Sequence, residues 1–343
     1  MDLTNLPKSA RTEFTSALNQ ICAERGISPQ AILDTLKAAL VAAYRKDFGA
    51  NEDLDYEVIV DEITGSAKIF EFPKDKPDKK KEVTPPGFGR IAAQTAKQVI
   101  LQKIREAEKD AIITEYTDKI GALVNGMVLR FDGQFIICDI GRGQALMPPE
   151  EQSPSEHYHL NQRLTLYIKN IGDTPKGKQI VVSRADPQLV IELFKREVPE
   201  VNSGAVVIKV IAREAGSRSK VAVASTQQGV DPVGSCVGQK GVRVQAVINE
   251  LGGEKLDIIE YSQDLEKFIT AALQPAEHLK IKLNAKKKEA NITVPEDQLS
   301  LAIGRDGQNV RLAAKITGYK INLNDDKPKK VKAKTAKKSD KKD

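Results

Sequence analysis

The sequence predicts a multidomain α+β protein: a helical α/β unit, then a five-stranded β-barrel, then two copies of one small α/β module in tandem. Three observations predict it. Apolar residues recur at helical spacing in the first third of the chain, short alternating strands follow Gly121, and a repeat at an offset of 66 residues fills the remainder. At 343 residues, 40% apolar and 29% charged, the chain has the length and composition for several small cores rather than one large one.

In the first unit, residues 1–118, Leu6, Ala10, Phe14, Ala17, Leu18 and Ile21 mark a helical face. Ser28 as N-cap and Pro29 in the first turn open a second helix with Ile32, Leu33, Leu36, Leu40 and Tyr44 on its apolar side, closing near Gly49. Residues 56–63 and 67–72 alternate as strands about a tight turn at Thr64-Gly65-Ser66. Residues 74–89, rich in Lys, Asp and Pro, read as a mobile loop. From Arg90 to about Lys119 a long helix carries Val99, Ile100, Ile104, Ala107 and Ala111 on one side.

Residues 121–186 hold five short strands, at 124–131, 135–140, 144–147, 163–171 and 179–183, the number of an OB-type barrel; an SH3-like barrel is the other reading of the pattern. Phe131 and Phe135 flank its first turn, where such a barrel offers aromatic faces to bases, and each reads equally well as core. Arg130, Arg142, Arg163 and Lys169 are candidates to track phosphates or are plain surface charge.

Within the repeat, Asp231, Val233, Val237, Gly238, Gly241, Val244 and Gly252 correspond to Asp297, Leu299, Ile303, Gly304, Gly307, Val310 and Gly318. Each copy centres on G-x-x-G, as Gly238-Gln239-Lys240-Gly241 and Gly304-Arg305-Asp306-Gly307. With 23 glycines, chance alone gives about one or two such tetrapeptides, so the flanks decide. An Asp cap seven residues upstream, an apolar residue before the first Gly, a helical face after the second and a Gly ending that helix describe helix, tight loop, helix, strand: the KH core. The modules span 187–262 and 263–326.

Two residues without side chains let the chain approach a sugar-phosphate backbone, and the following helix aims its positive end at phosphate. Lys240 and Arg305 add charge at the loop tips, with Gln239, Asp306, Arg243 and Arg311 beside them. Single-stranded RNA is the expected ligand, about four nucleotides per module. The other reading makes each repeat a structural helix hairpin.

The formal charge of +6 is a property of one end. Between 327 and 343 stand nine Lys and two Asp, a segment read as disordered, and the remaining chain has a net charge of −1. RNA affinity of the folded part therefore depends on local placement of charge. Cys22, Cys138 and Cys236 are odd in number and far apart, which fits buried thiols rather than a disulfide framework or zinc site. No apolar run suggests a membrane span or a secretory leader, so the expectation is a cytoplasmic monomer. No nucleotide-binding, metalloprotease or hydrolase motif is present. A non-enzyme without metal or cofactor is expected.

The order of these parts resembles the NusA family of bacterial transcription elongation, termination and antitermination factors. Residues that carry the resemblance include the barrel opening Gly121-Ala-Leu-Val-Asn-Gly-Met-Val and the stretches 94–108, 192–200, 216–220, 231–234 and 302–312. It implies a barrel of the ribosomal-protein S-one type and type II KH modules. It also implies an N-terminal unit that docks on RNA polymerase, with barrel and KH modules extending along nascent RNA, alone or with other Nus factors, to modulate pausing, hairpin-dependent termination and antitermination. By resemblance Arg90 and Lys97 face polymerase, and Arg184 lies where barrel and first KH module meet, counted here with the RNA-binding set. Asp306 stands where the family commonly has Asn, which counts against tight phosphate contact by the second module. The alternative function is a ribosome-associated or RNA-processing KH protein without polymerase contact.

Overall fold

Helix α1 (Pro29–Phe48) opens at the expected place, with Pro29 in its first turn, where the missing N–H costs nothing, and Ser28 at the N-cap without a side-chain capping bond. The computed structural model describes residues 19–325, apart from 21, 25, 50, 52, 62–65, 175 and 176. The Lys-rich segment 327–343, the turn at Thr64-Gly65 and most of the first expected helix lie outside the described residues. The chain divides into two compact units, Met1–Asp118 and Lys119–Asp343.

In the first unit α1 packs on the antiparallel pair β1 (Leu54–Val60) and β2 (Ala67–Pro73). Ile32, Leu33, Leu36 and Leu40 meet Val58, Val60 and Ile69 in a core completed by Phe88, Ala92 and Val99 of helix α2 (Phe88–Thr117). Two expectations need correction. The stretch 74–89 is not loop throughout, because Lys81 and Glu82 form a short strand β3 beside Glu71 and Phe70 of β2. Its charged residues stay exposed on a sheet edge, so composition hid the pairing. On α2, Val99 is buried but Ala111 is exposed, and burial resumes at Ile113 and Tyr116.

In the second unit β4 (Leu123–Asp132), β5 (Phe135–Asp139), β6 (Gln144–Met147), β7 (Arg163–Thr174) and β8 (Gly177–Ser183) close a barrel in the order β4-β5-β6-β8-β7. Only β6 and β8 pair in parallel, which is the OB connectivity. Two α-β-β-α-α-β modules follow. The first comprises α3 (Pro187–Glu197), the short α4 (Pro199–Asn202), β9 (Val206–Glu214), β10 (Arg218–Ser225), α5 (Pro232–Val237), α6 (Val242–Glu250) and β11 (Lys255–Glu260). The second comprises α7 (Leu265–Ala272), β12 (Lys280–Asn284), β13 (Glu289–Val294), α8 (Glu296–Ile303), α9 (Gln308–Thr317) and β14 (Lys320–Asp325). Both sheets have the same topology: the first two strands are antiparallel and the third is parallel to the second.

The first module's sheet is covered on both faces. Val221 and Val223 point to α3, α5 and α6, meeting Leu189, Leu193, Phe194, Cys236 and Val247. Ala212, Ala222 and Ile259 point the other way, into a core with Phe268, Ile269, Leu312 and Ala313 of the second module. Small alanines on that face let helices α7 and α9 approach closely, and the shared apolar burial fixes the two modules to each other.

Candidate nucleic-acid interface

The two G-x-x-G loops share one backbone conformation. Gly238 and Gly304 have φ/ψ of 75°/172° and 73°/173°, Lys240 and Asp306 have 53°/23° and 52°/26°, and Gly241 and Gly307 have 75°/14° and 72°/16°. The first Gly of each loop also lacks room for a side chain. A Cβ at Gly304 would lie 2.9 Å from the backbone N of Asn309, and one at Gly238 would lie 2.8 Å from Cγ of Arg243. The second Gly of each is crowded by nothing closer than 3.9 Å, so only its positive φ and the space outside select for glycine. The third loop position is left-handed in both copies, a conformation that Asp and Asn tolerate better than Lys. Asp306 therefore has a backbone reason to be there beside its charge.

Helices α6 and α9 start directly behind these loops, with Gly241 and Gly307 as N-caps that supply no side-chain bond. Elsewhere in this unit Asp186, Asp231 and Asp264 cap helices α3, α5 and α7 with their carboxylates. The two helix ends behind the glycine loops thus keep first-turn amides that no capping side chain occupies, the kind of donors that receive an anion. The expected Asp cap holds in the first copy, where Asp231 accepts from the Val233 amide at 3.0 Å. It fails in the second: Pro295 occupies the N-cap, and Asp297 is the second residue of α8, inside its first turn beside Glu296.

Around the first loop an open groove of about 780 Å³ is lined by Glu200, Val230, Gly238, Gln239, Val242 and Arg243, and Val242 is 67% exposed beside Gly241. Leu301 and Ile303 are likewise exposed before Gly304. Apolar side chains next to a phosphate-ready loop suit stacked or splayed bases without aromatic residues. Gln239, Lys240, Arg305 and Asp306 stand exposed at the tips, with Arg305 3.6 Å from the Asp306 carboxylate. Arg243 is turned inward, donating to Glu200 at 2.9 Å and to the Ser235 carbonyl at 2.8 Å, and so braces the loop from beneath. Arg311 donates to the Asp306 carbonyl at 3.2 Å and to Glu214 of the first module at 2.6 and 3.1 Å. It ties loop to neighbour while remaining half-exposed.

Arg184 is corrected as an RNA contact: it is only 2% exposed. Its guanidinium donates to both oxygens of Glu156, to the Thr165 carbonyl at 2.9 Å and to the Glu250 carbonyl at 2.7 Å, joining barrel loop, barrel strand and the end of α6. Lys169 is paired with Glu151 and Asp186 while its side chain remains partly exposed. Next to this joint Arg213 meets Glu254, both buried, and reaches the carbonyls of Asp186 and Arg184 at 2.6 and 2.9 Å. Glu254 also accepts from the Gly216 amide at 2.7 Å and the Ser219 hydroxyl at 2.6 Å. Sequence reasoning missed the Arg213–Glu254 pair, whose partners are 41 residues apart and belong to no motif.

Phe131 and Phe135 are 46% and 43% exposed, yet they do not form one platform. Phe131 pairs across the ribbon with the inward Ile136, and Phe135 with Asp132, so the rings lie on opposite faces. Phe131 borders a second open groove with Gln152, His157 and His159. In the first unit Arg90 and Lys97 are exposed two turns apart on α2, on one stripe with the exposed Leu101. Burial raises the thiol pKa of Cys138 and of Cys236 to about 11, so neither is a thiolate near neutral pH. Among the described residues no cluster of His, Cys, Asp and Glu could hold a metal, and no helix is long and apolar enough to cross a membrane.

An OB barrel fused to two glycine-looped modules defines the class: an RNA-binding protein built on tandem KH modules. Family models agree part by part, with the NusA-like first KH domain matching residues 184–261, the NusA-like second KH domain matching 265–331 and the NusA N-terminal domain matching 13–84 and 73–110. The transcription termination/antitermination protein NusA of Bacillus subtilis is 43% identical over 338 residues, covering 91% of this chain and 90% of its own length. The proteins of that name from Halalkalibacterium halodurans and Thermus thermophilus are 42% and 40% identical; each alignment covers 91% of this chain, with 88% and 89% of the relative. The solution structure of the N-terminal domain from B. subtilis is 34% identical, covering 28% of this chain and 97% of its own, with a TM-score of 0.24. The chain belongs to the NusA family.

Proposed function

We propose that this chain is an RNA-binding transcription factor that associates with RNA polymerase and holds nascent single-stranded RNA. In that position it modulates pausing, hairpin-dependent termination and antitermination. The carrying observation is the pair of superimposable G-x-x-G loops, each followed by a helix whose N-terminus has no side-chain cap. Such a loop binds by backbone approach and helix-end electrostatics, so it retains a strand without demanding one sequence. Modest contacts are enough to act kinetically, because about 1.4 kcal/mol is a tenfold change in a rate.

The polymerase-facing role belongs to the first unit, through the stripe of α2 that carries Arg90 and Lys97. Other Nus factors are partners by family, and the protein acts as a monomer without catalysis of its own. The test is pause lifetime at a hairpin-dependent site with a cognate bacterial RNA polymerase. The wild-type chain lengthens the pause, and Arg90→Ala with Lys97→Ala shortens it again while RNA affinity is kept. If pausing is unchanged on adding the wild-type chain, the polymerase reading fails and a ribosome-associated or RNA-processing role takes its place.

A further inference from the structure

The two modules differ in what covers the outer face of their sheets. In the first, the middle strand turns Ala222 outward, and Ala212 and Ile259 join it under the helices of the second module. In the second, Ala290, Ile292 and Val294 of the middle strand point inward, so Asn291 and Thr293 point out. The register extends this outer face into rows: Lys280, Thr293 and Asn324; Lys282, Asn291 and Asn322; Asn284, Glu289 and Lys320. The Asn322 amide donates to the Asn291 carbonyl oxygen at 3.2 Å, which orients both amides across the strands. At the hairpin's end the turn residues Lys286, Lys287 and Lys288 are exposed.

We propose that this face is a second RNA-binding surface that takes the phosphate backbone, separate from the glycine loops. It rests on the reading of the chain as an RNA binder. Charge selects the occupant: among the described residues of these rows and their turn, six lysines stand against the single carboxylate of Glu289. The body of the chain is otherwise nearly balanced, so this is a local concentration and not an average. Amides and a hydroxyl on a pleated surface supply further donors to phosphate and sugar oxygens. The rows contain no aromatic residue, so they offer no stacking, and binding here is sequence-blind and strongly salt-dependent. Because α7, α8 and α9 lie on the sheet's other side, a strand of about four nucleotides seated at Gly304–Gly307 does not reach this face, whereas a longer one does.

The experiment compares the full chain with its Lys282→Gln, Lys286→Gln, Lys287→Gln variant, measuring affinity for a 6-nucleotide and a 30-nucleotide unstructured RNA across a salt series. The expected result is unchanged binding of the short RNA. The long RNA binds on the order of 10- to 100-fold more weakly near 50 mM salt, and its log-log salt slope falls by roughly two, about 0.7 per lost phosphate contact. Equal slopes for variant and wild type on the long RNA overturn the proposal and leave a solvated sheet face. So does an outcome in which only binding of a polyglutamate peptide is lost, which assigns the face to an acidic protein partner. A Gly241→Asp, Gly307→Asp control separates the two readings: if it leaves the short RNA bound as before, the loop assignment fails independently of the lysine face.

Discussion

Arg311 of α9 grips Glu214 at the end of β9, with Nε 2.6 Å from one carboxylate oxygen and Nη2 3.1 Å from the other. Gln308 adds a third donor at 2.9 Å and also reaches the Ser217 hydroxyl at 2.7 Å. The turn between β9 and β10 is therefore held by the second module's loop helix on one side and, through Gly216, by the barrel on the other. The Arg311 hydrogen bond, helped by Gln308, holds the Glu214 carboxyl down at about 2 against an ordinary 4.5. A depressed carboxyl stabilises the fold above its unfolded pKa and loses that contribution as pH falls through its folded one. Urea unfolding of wild type and Glu214→Gln should accordingly differ by roughly 1 kcal/mol at neutral pH, and the difference should shrink from about pH 4.5 and vanish near pH 2.

Removing the Arg184 guanidinium should loosen barrel from first module. Arg184→Met keeps much of the side-chain volume but leaves the largely buried Glu156 carboxylate and two carbonyls without their donor. Breaking one partner of such a pair costs about 3 to 5 kcal/mol. Thermal unfolding should show a lower midpoint, and limited proteolysis should open a site between the barrel and α3. Arg311→Met, at a half-exposed contact, should do neither to the same extent.

Gly216 is a tight contact between barrel and first module. A Cβ there would lie 1.9 Å from Oγ of Ser155 and 2.4 Å from Oγ of Ser153, at a backbone φ of +73°. The Ser155 hydroxyl donates to the Gly216 carbonyl at 2.7 Å, so the contact is bonded as well as tight. Gly216→Ala should destabilise the chain by at least about 2 kcal/mol, through overpacking and a left-handed alanine. Adding Ser153→Ala and Ser155→Ala should recover the steric part only.

Local rules made most of the fold legible. Pro after an N-cap residue placed α1, period-two alternation placed all five barrel strands to within three residues, and the repeat revealed two equivalent modules. The site was legible where it is made of backbone, since glycines at fixed spacing report a conformation directly. It was illegible where long polar side chains choose partners. Arg184, Lys169 and Arg243 look in sequence like any surface cations, and only folding brings Glu156, Glu151 and Glu200 to them. Resemblance placed Arg184 at the barrel–module junction but not inside it. Phe131 and Phe135, four residues apart across a hairpin, pair with different partners, and the pleat sends the two exposed rings to opposite faces, an arrangement their spacing alone does not display.

The central claim is that Gly238–Gly241 and Gly304–Gly307 seat an RNA backbone. Gly241 and Gly307 are the positions to alter, because a side chain there meets no crowding neighbour and points into the space the RNA would use. The direct measurement is the affinity of the full chain for a short single-stranded RNA, with Gly241→Asp and Gly307→Asp introduced singly and together. Each should weaken binding by about tenfold, a loss of about 1.4 kcal/mol; because a side chain at φ of +75° or +72° is strained, each should also lower the unfolding midpoint, and affinity is compared where the variants remain folded. Undiminished affinity in the double variant, with the fold intact, would contradict the assignment.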